Sequence, residues 1–202
     1  MNVLCLDLEG VLVPEIWIEF SRKTGIPELS RTTRDEPDYS KLMNFRIEIL
    51  KKNKLFLPDI QEVIGSMDPM PGASAFIDTV RSETQVIILS DTFTQFAQPL
   101  MKKLGYPTLF CNTLEVAQDG TIIGFSLRQD EGKKQAVTAL QGLNLRVMAA
   151  GDSYNDLGMI QKADTGAFFR SPKSISSEYP QFPAYEDYDD LLAHMRKELI
   201  GS

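Results

Sequence analysis

The sequence predicts an α/β fold: a doubly wound parallel sheet with a small helical cap inserted after its first strand. Three observations carry that prediction. Apolar runs at residues 3–6, 86–89 and 147–150 have the length and continuity of strands buried on both faces. Helical patterns lie between the later runs, and strands alternating with helices make parallel sheets. Residues 14–69 break the alternation, being mostly helical with no buried strand.

Taken in order, the first run leads into Asp7-Leu8-Glu9-Gly10. The cap follows over 14–69, its polar middle at 31–40 reading as a loop that carries Pro37. The core then takes up 1–13 and 70–202. Pro71 and Gly72 open a helix to about residue 82, with Phe76, Ile77 and Val80 spaced to face a core. The run at 86–89 ends in Ser90-Asp91-Thr92. A helix over 94–104 follows, with Pro99 as a candidate kink and Gly105 as its stop. Asp119-Gly120 between Leu114-Glu115-Val116 and Thr121-Ile122-Ile123 signals a hairpin. A helix over 131–142 presents Ala136, Val137 and Leu140 on one side, and the run at 147–150 ends in Gly151-Asp152-Ser153. A weaker run at 166–169 ends at Arg170-Ser171-Pro172. The last helix, 188–199, has acids before it and Arg196-Lys197 near its end, as the helix dipole favours.

Composition sets limits. A chain of 202 residues holds one such core plus an insertion, and 43% apolar with 24% charged residues is ordinary for a globular protein. A net charge of −7 speaks against general affinity for nucleic acid or anionic membrane. Two cysteines are too few for a disulfide framework, and Cys5 reads as a buried thiol. No apolar run approaches the roughly 20 residues needed to span a bilayer, and no leader-like segment opens the chain. The cytoplasm is the expected location by default.

Ligands of open parallel sheets bind beyond the carboxyl ends of the strands. Three proposed strands end in polar clusters: Asp7 and Glu9, Ser90 and Asp91, Asp152 and Asp156. Any one such acid reads equally well as a turn former or helix N-cap. Three clusters at three strand ends read as one site, whose carboxylates repel unless a cation joins them. Hard oxygen ligands without histidine or thiolate point to Mg²⁺.

Asp7-Leu8-Glu9-Gly10-Val11, Ser90-Asp91-Thr92, a Lys near 133, and Gly151-Asp152-Ser153-Tyr154-Asn155-Asp156 resemble the signature motifs of the haloacid dehalogenase superfamily. The helical insertion resembles the cap of its phosphoserine phosphatase branch. The resemblance spans nearly the whole chain and implies the Rossmann-like core of that superfamily. It implies Asp7 as nucleophile, becoming an aspartyl phosphate, and Mg²⁺ held by Asp7, Asp152 and the backbone carbonyl of Glu9. Ser90, Asp91 and Lys133 would bind the phosphoryl side, with Asp156 in support. A carboxylate attacking a dianionic phosphoryl group needs such cations. Spacing does not separate Lys133 from Lys134; the resemblance favours Lys133. Glu9 departs from the Asp usual in the superfamily's phosphatases. One methylene longer, it can still act as acid and base, either with no consequence or by favouring a bound alcohol over water.

On residues alone, Glu15 reads as a helix N-terminal acid and Arg46 as a solvated helical arginine. The resemblance instead implies that Glu15 reads a substrate ammonium and Arg46 its carboxylate, with Asn155 adding a hydrogen bond. Residues 5–15, Thr32-Thr33-Arg34-Asp35 and residues 149–156 are similar to bifunctional members of the branch. The implied reactions are hydrolysis of phosphoserine and transfer of its phosphoryl group to L-homoserine. Hydrolysis of another small phosphate ester is the alternative. A signalling receiver domain also uses Asp, Mg²⁺ and Lys, but places its acceptor after a middle strand and has no large cap there. His194 is expected at a surface or between helices, and Phe168-Phe169 in the sheet core. The sequence does not fix the oligomeric state, a homodimer included, or choose between serine and threonine biosynthesis.

Overall fold

The structure, a computed structural model, describes residues 1–33 and 35–201; Arg34, quoted above in the resemblance, lies outside them. Among the described residues, seven strands form one sheet in the order β4-β3-β2-β1-β5-β6-β7. They are β1 (Asn2–Leu6), β2 (Gln85–Phe93), β3 (Thr108–Val116), β4 (Ile122–Ser126), β5 (Arg146–Gly151), β6 (Thr165–Phe169) and β7 (Ala184–Tyr185). All neighbours pair in parallel except β3 and β4, the hairpin closed at Asp119-Gly120. β1 sits in the middle, flanked by β2 and β5, so the first three apolar runs are direct neighbours.

Burial explains why these runs are continuous. Leu4, Cys5, Leu6, Met148, Ala149, Ala150, Phe168 and Phe169 are completely buried, because helices cover both sheet faces. Alternate residues fall into different clusters: Leu4 and Leu6 on one face, Val3 and Cys5 on the other. Each large apolar side chain buried this way contributes about 1.5–3 kcal/mol. Burial also pushes the Cys5 thiol up to about 12, so it stays protonated.

Between β1 and β2 lie α1 (Ile16–Thr24), α2 (Tyr39–Lys52) and α3 (Leu57–Gly65), with a short 3₁₀ turn at Pro27–Ser30. Later helices are α4 (Ala73–Glu83), α5 (Thr94–Lys103), α6 (Gly132–Gly142), α7 (Leu157–Lys162), α8 (Lys173–Glu178) and α9 (Tyr188–Met195). α5 runs through Pro99. The last helix differs from expectation: α9 stops at Met195 and a π-turn, Arg196–Ile200, continues it. Three features escaped sequence reading. β3 is a parallel neighbour of β2 before it turns into the hairpin, β7 is only two residues long, and α7 and α8 are only six residues each. None of the described helices is long and apolar enough to cross a membrane.

Candidate active site

The carboxyl ends of β1, β2 and β5 meet at one crevice. Asp7 follows β1, and its N–H donates to the Ala150 carbonyl at 3.1 Å, which keeps it in register with β5. β2 continues past its apolar run, but its pairing with β3 breaks between Leu89 and Phe93. Ser90, Asp91 and Thr92 fall in that irregular stretch and turn toward the crevice, where all three line the cavity.

Lys133, on the first turn of α6, binds the floor together. Its Nζ lies 2.9 Å from Asp7 Oδ1, 2.7 Å from Asp156 Oδ1 and 3.7 Å from Asp91 Oδ2. Lys134 turns outward and pairs with Glu131 at 3.0 Å, half-exposed. The helix thus presents one lysine to each side, as the angle of about 100° between successive residues requires.

Asp156 is fully buried and fully engaged. Besides Lys133, it accepts the backbone N–H groups of Asp152 at 3.0 Å and Ser153 at 3.1 Å, and the Ser153 hydroxyl at 3.2 Å. Two glycines make this crowding possible. A Cβ at Gly151 would lie 2.2 Å from the Asp156 carboxyl carbon; one at Gly10, where φ is +76°, would lie 2.6 Å from that of Asp152.

Oxygens of Asp7, Asp152 and Asp156 lie within 4.8 Å of one another, all three residues buried. Burial pushes the Asp7 carboxyl well above the usual carboxylate range; Asp156 and Asp152 push the same way, and the Lys133 ammonium pulls back. Burial also raises Asp152 to about 7, helped by Asp156 and Glu15. On Lys133, burial opposes the charged form, but the Asp156 and Asp7 carboxylates overcome it and raise its pKa. Because Asp156 is spent on hydrogen bonds, Asp7 and Asp152 are the anionic donors left for a cation. An all-oxygen donor set of this kind fits a hard metal ion.

A cavity of about 280 Å³ opens above these groups. Glu9 lines it and accepts the Ile16 N–H at 2.8 Å, which ties its carboxyl to the start of α1. Burial raises Glu9 to about 7, with Glu15 adding to the rise and the Ile16 N–H opposing it. Glu15 is exposed at the cavity rim. Arg46 is buried, contrary to the solvated reading, with its guanidinium carbon over the Trp17 ring, 4.5 Å from the centroid. One of its N–H groups donates to the Arg31 carbonyl at 2.6 Å and another to Met43 Sδ at 3.7 Å, while Nε has no partner among the described residues. Burial lowers its pKa to about 10. Asn155 is exposed at the mouth.

Asp7, Glu9, Glu15, Arg46, Ser90, Asp91, Lys133, Asp152 and Asn155 all line this one cavity, with Asp91 half-exposed and Glu15 and Asn155 at the rim, and Asp156 lies fully buried behind Lys133. Sequence reading missed Trp17, Tyr39 and Asn112. Trp17 lies two residues after Glu15 on the same helix start, a detectable signal. The Tyr39 hydroxyl and the Asn112 amide both donate to the Asp91 carbonyl, at 2.7 and 3.0 Å. Nothing local in the sequence announces that pairing. His194 lies on α9 beside Tyr185, outside the cavity lining.

Comparison with known proteins gives the family and the fold. The family model for haloacid dehalogenase-like hydrolases matches residues 1–164. A Pseudomonas aeruginosa protein named phosphoserine phosphatase ThrH is 53% identical over 197 residues, covering 98% of this chain and 96% of that protein. A phosphoserine phosphatase of Pseudomonas syringae pv. tomato is 50% identical over 200 residues, covering 99% of this chain and 83% of that protein. Among solved structures, a substrate-bound phosphoserine phosphatase aligns with TM-score 0.78 at 20% identity, over 98% of both chains, and so shares the fold. The chain is an enzyme of the haloacid dehalogenase-like hydrolase family.

Proposed function

We propose that the enzyme is a Mg²⁺-dependent phosphotransferase that takes the phosphoryl group of phospho-L-serine onto Asp7 and passes it to water or to L-homoserine. One observation carries the reading. A single cavity has a nucleophilic carboxylate paired with a lysine at its floor, and an arginine and a glutamate along its wall and rim. The floor suits a phosphoryl group. The wall and rim suit the carboxylate and ammonium of an α-amino acid, the Arg46 Nε being a buried donor without a partner among the described residues. The names of the two Pseudomonas relatives agree with that substrate.

In this reading residues 14–69 form a cap over a core of 1–13 and 70–202. A carboxylate oxygen of Asp7 attacks phosphorus, and the bond from phosphorus to the serine oxygen breaks. Glu9 gives its proton to the departing alkoxide. Glu9 then accepts a proton from water or from the homoserine hydroxyl as that oxygen attacks the aspartyl phosphate and frees Asp7. A carboxyl near pH 7 serves both directions well. Ser90, Asp91 and Lys133 hold the phosphoryl end, Asn155 adds a hydrogen bond at the mouth, and Asp156 keeps Lys133 and the 152–153 backbone in place. Asp7, Asp152 and the Glu9 carbonyl would hold Mg²⁺, which when bound supplies charge neutralisation between nucleophile and phosphoryl oxygens. Trp17 and Tyr39 also line the cavity. The N-terminal block and the longer Glu9 favour an alcohol acceptor alongside water.

The test is ³¹P NMR of phospho-L-serine and Mg²⁺ with the enzyme, with and without L-homoserine. Phosphohomoserine should appear at the expense of inorganic phosphate. Inorganic phosphate alone would remove the transfer, and unconsumed phosphoserine would remove the substrate.

A further inference from the structure

The loop over residues 7–13 carries Glu9 and folds largely on itself. Leu12 and Val13 N–H groups donate to the Leu8 carbonyl at 2.8 and 3.0 Å, and Gly10 N–H donates to the Val13 carbonyl at 2.8 Å. Two hydrogen bonds tie its far side to the rest of the molecule. Met70 N–H donates to the Leu12 carbonyl at 2.9 Å, and the Tyr188 hydroxyl donates to the Val11 carbonyl at 2.6 Å, in the interior.

Tyr188 opens α9, beyond residue 164 where the family match ends. Its ring is stacked against Phe76 and Phe169, each at 4.8 Å between centroids. The Arg170 guanidinium lies 4.8 Å from the ring, and a Cβ at Gly72, where φ is +87°, would sit 3.2 Å from Cδ2. The ring is therefore fixed in place. A phenylalanine would fill the same stack, so the hydroxyl is not needed for packing. Burial raises its pKa to about 12, so it stays a proton donor.

We propose that Tyr188 is a positioning residue for the reaction: its hydroxyl fixes the Val11 carbonyl, and with it the loop that holds the Glu9 carboxyl over the leaving oxygen. The inference rests on the proposed role of Glu9 as proton donor. Without the hydroxyl the loop keeps its internal bonds and the Ile16 N–H bond to the Glu9 carboxyl, but loses one of the two hydrogen bonds that hold its far side, and Glu9 shifts relative to Asp7.

The experiment uses Tyr188→Phe and a pair of substrates in single turnover with enzyme in excess, quenched on the millisecond scale. Phosphoserine expels an alkoxide that needs a proton, whereas p-nitrophenyl phosphate expels a stable anion that does not. Serine release should slow by about tenfold while nitrophenol release stays within about twofold. Equal slowing of both, or no slowing of either, would overturn the proposal. Phe76→Leu thins the stack but keeps the hydroxyl; it should lower the melting temperature without changing the ratio of the two rates. If it reproduces the ratio change, the hydroxyl is not the cause. Should the wild-type enzyme leave phosphoserine intact, the substrate reading fails on its own. An alkyl phosphate that the enzyme does cleave then replaces it in the same comparison.

Discussion

At the floor of the cavity Lys133 closes a network with Asp7 and Asp156 at 2.9 and 2.7 Å, and Asp156 takes three more hydrogen bonds from residues 152 and 153. Across the cavity Arg46 donates to the Arg31 carbonyl and to Met43 Sδ, lies over the Trp17 ring and leaves Nε without a partner among the described residues, while Glu15 stands exposed. The floor is satisfied from within: Lys133 and the 152–153 backbone take up the Asp156 carboxylate, and Asp7 shares the same lysine. The wall carries donor capacity that only a ligand can use. The difference separates two tasks: groups that make and break a bond must be held in place beforehand, whereas groups that choose a substrate must wait for it.

The largest expected effects fall on the floor. Asp7→Asn should lower turnover of any phosphate ester by more than about 10⁴-fold while circular dichroism stays native. Substantial activity in that variant would mean that the nucleophile lies elsewhere. Lys133→Met strands two buried carboxylates and should cost about 3–5 kcal/mol in denaturant unfolding, as well as activity. Lys134→Met, at the surface, should stay within about 0.5 kcal/mol. Similar costs for the two lysines would break the contrast between a bound interior and a solvated exterior.

The floor also predicts a pH dependence. Glu9 and Asp152 each sit near 7 in the folded protein, above the ordinary values of 4.5 and 3.8. The folded state therefore binds protons more tightly than the unfolded chain between about pH 4 and 7, and stability falls as pH rises through that window. The slope is up to about 1.4 kcal/mol per pH unit for each carboxyl. Enzyme treated with EDTA should melt at a lower temperature at pH 7.5 than at pH 5, and Mg²⁺ should remove most of the difference. A flat profile without metal would show that these carboxyls carry no such strain.

The same contrast decides what was legible in the sequence. The acidic part of the floor is readable because Asp7, Asp152 and the Ser90-Asp91 pair follow continuous apolar runs, and β1, β2 and β5 had to be neighbours for those ends to converge. Lys133 opens a helix after a polar stretch, and only the resemblance separates it from Lys134. The inserted helices were readable as helices, but the burial of Arg46 was not. Its exposure depends on Trp17, one helix away, offering a ring at 4.5 Å, which no periodicity reports. β7 was missed for a related reason. Two residues hold no pattern, and Ala184 and Tyr185 are a strand only because β6 offers them an edge. The apolar run at 86–89 predicts a strand that stops before Ser90-Asp91-Thr92, yet β2 runs through them, its pairing with β3 loosened.

On the wall, Arg46→Ala should raise KM for phosphoserine by about 10–100-fold, the size of a charged hydrogen bond of about 1.5–3 kcal/mol. KM for p-nitrophenyl phosphate, which has no carboxylate, should move by less than about threefold. Equal changes in both would make Arg46 a packing residue and erase the division between floor and wall.

The smallest effect is expected at the seam, where Tyr39 of α2 donates its hydroxyl to the Asp91 carbonyl. Two facts limit its weight. The Asn112 amide donates to the same oxygen at 3.0 Å, so the carbonyl keeps a partner when the hydroxyl is removed. The Tyr39 ring also stays in edge contact with Phe125 at 6.2 Å, which a phenylalanine can reproduce. Tyr39→Phe should therefore cost only about 0.5–1.5 kcal/mol in unfolding, the net value of one neutral hydrogen bond. Because Ser90 is the neighbour of that carbonyl, the kinetic change should be shared by phosphoserine and p-nitrophenyl phosphate and stay within a few-fold. A loss as selective as that of Arg46→Ala would place Tyr39 with the substrate-reading wall instead of with the seam.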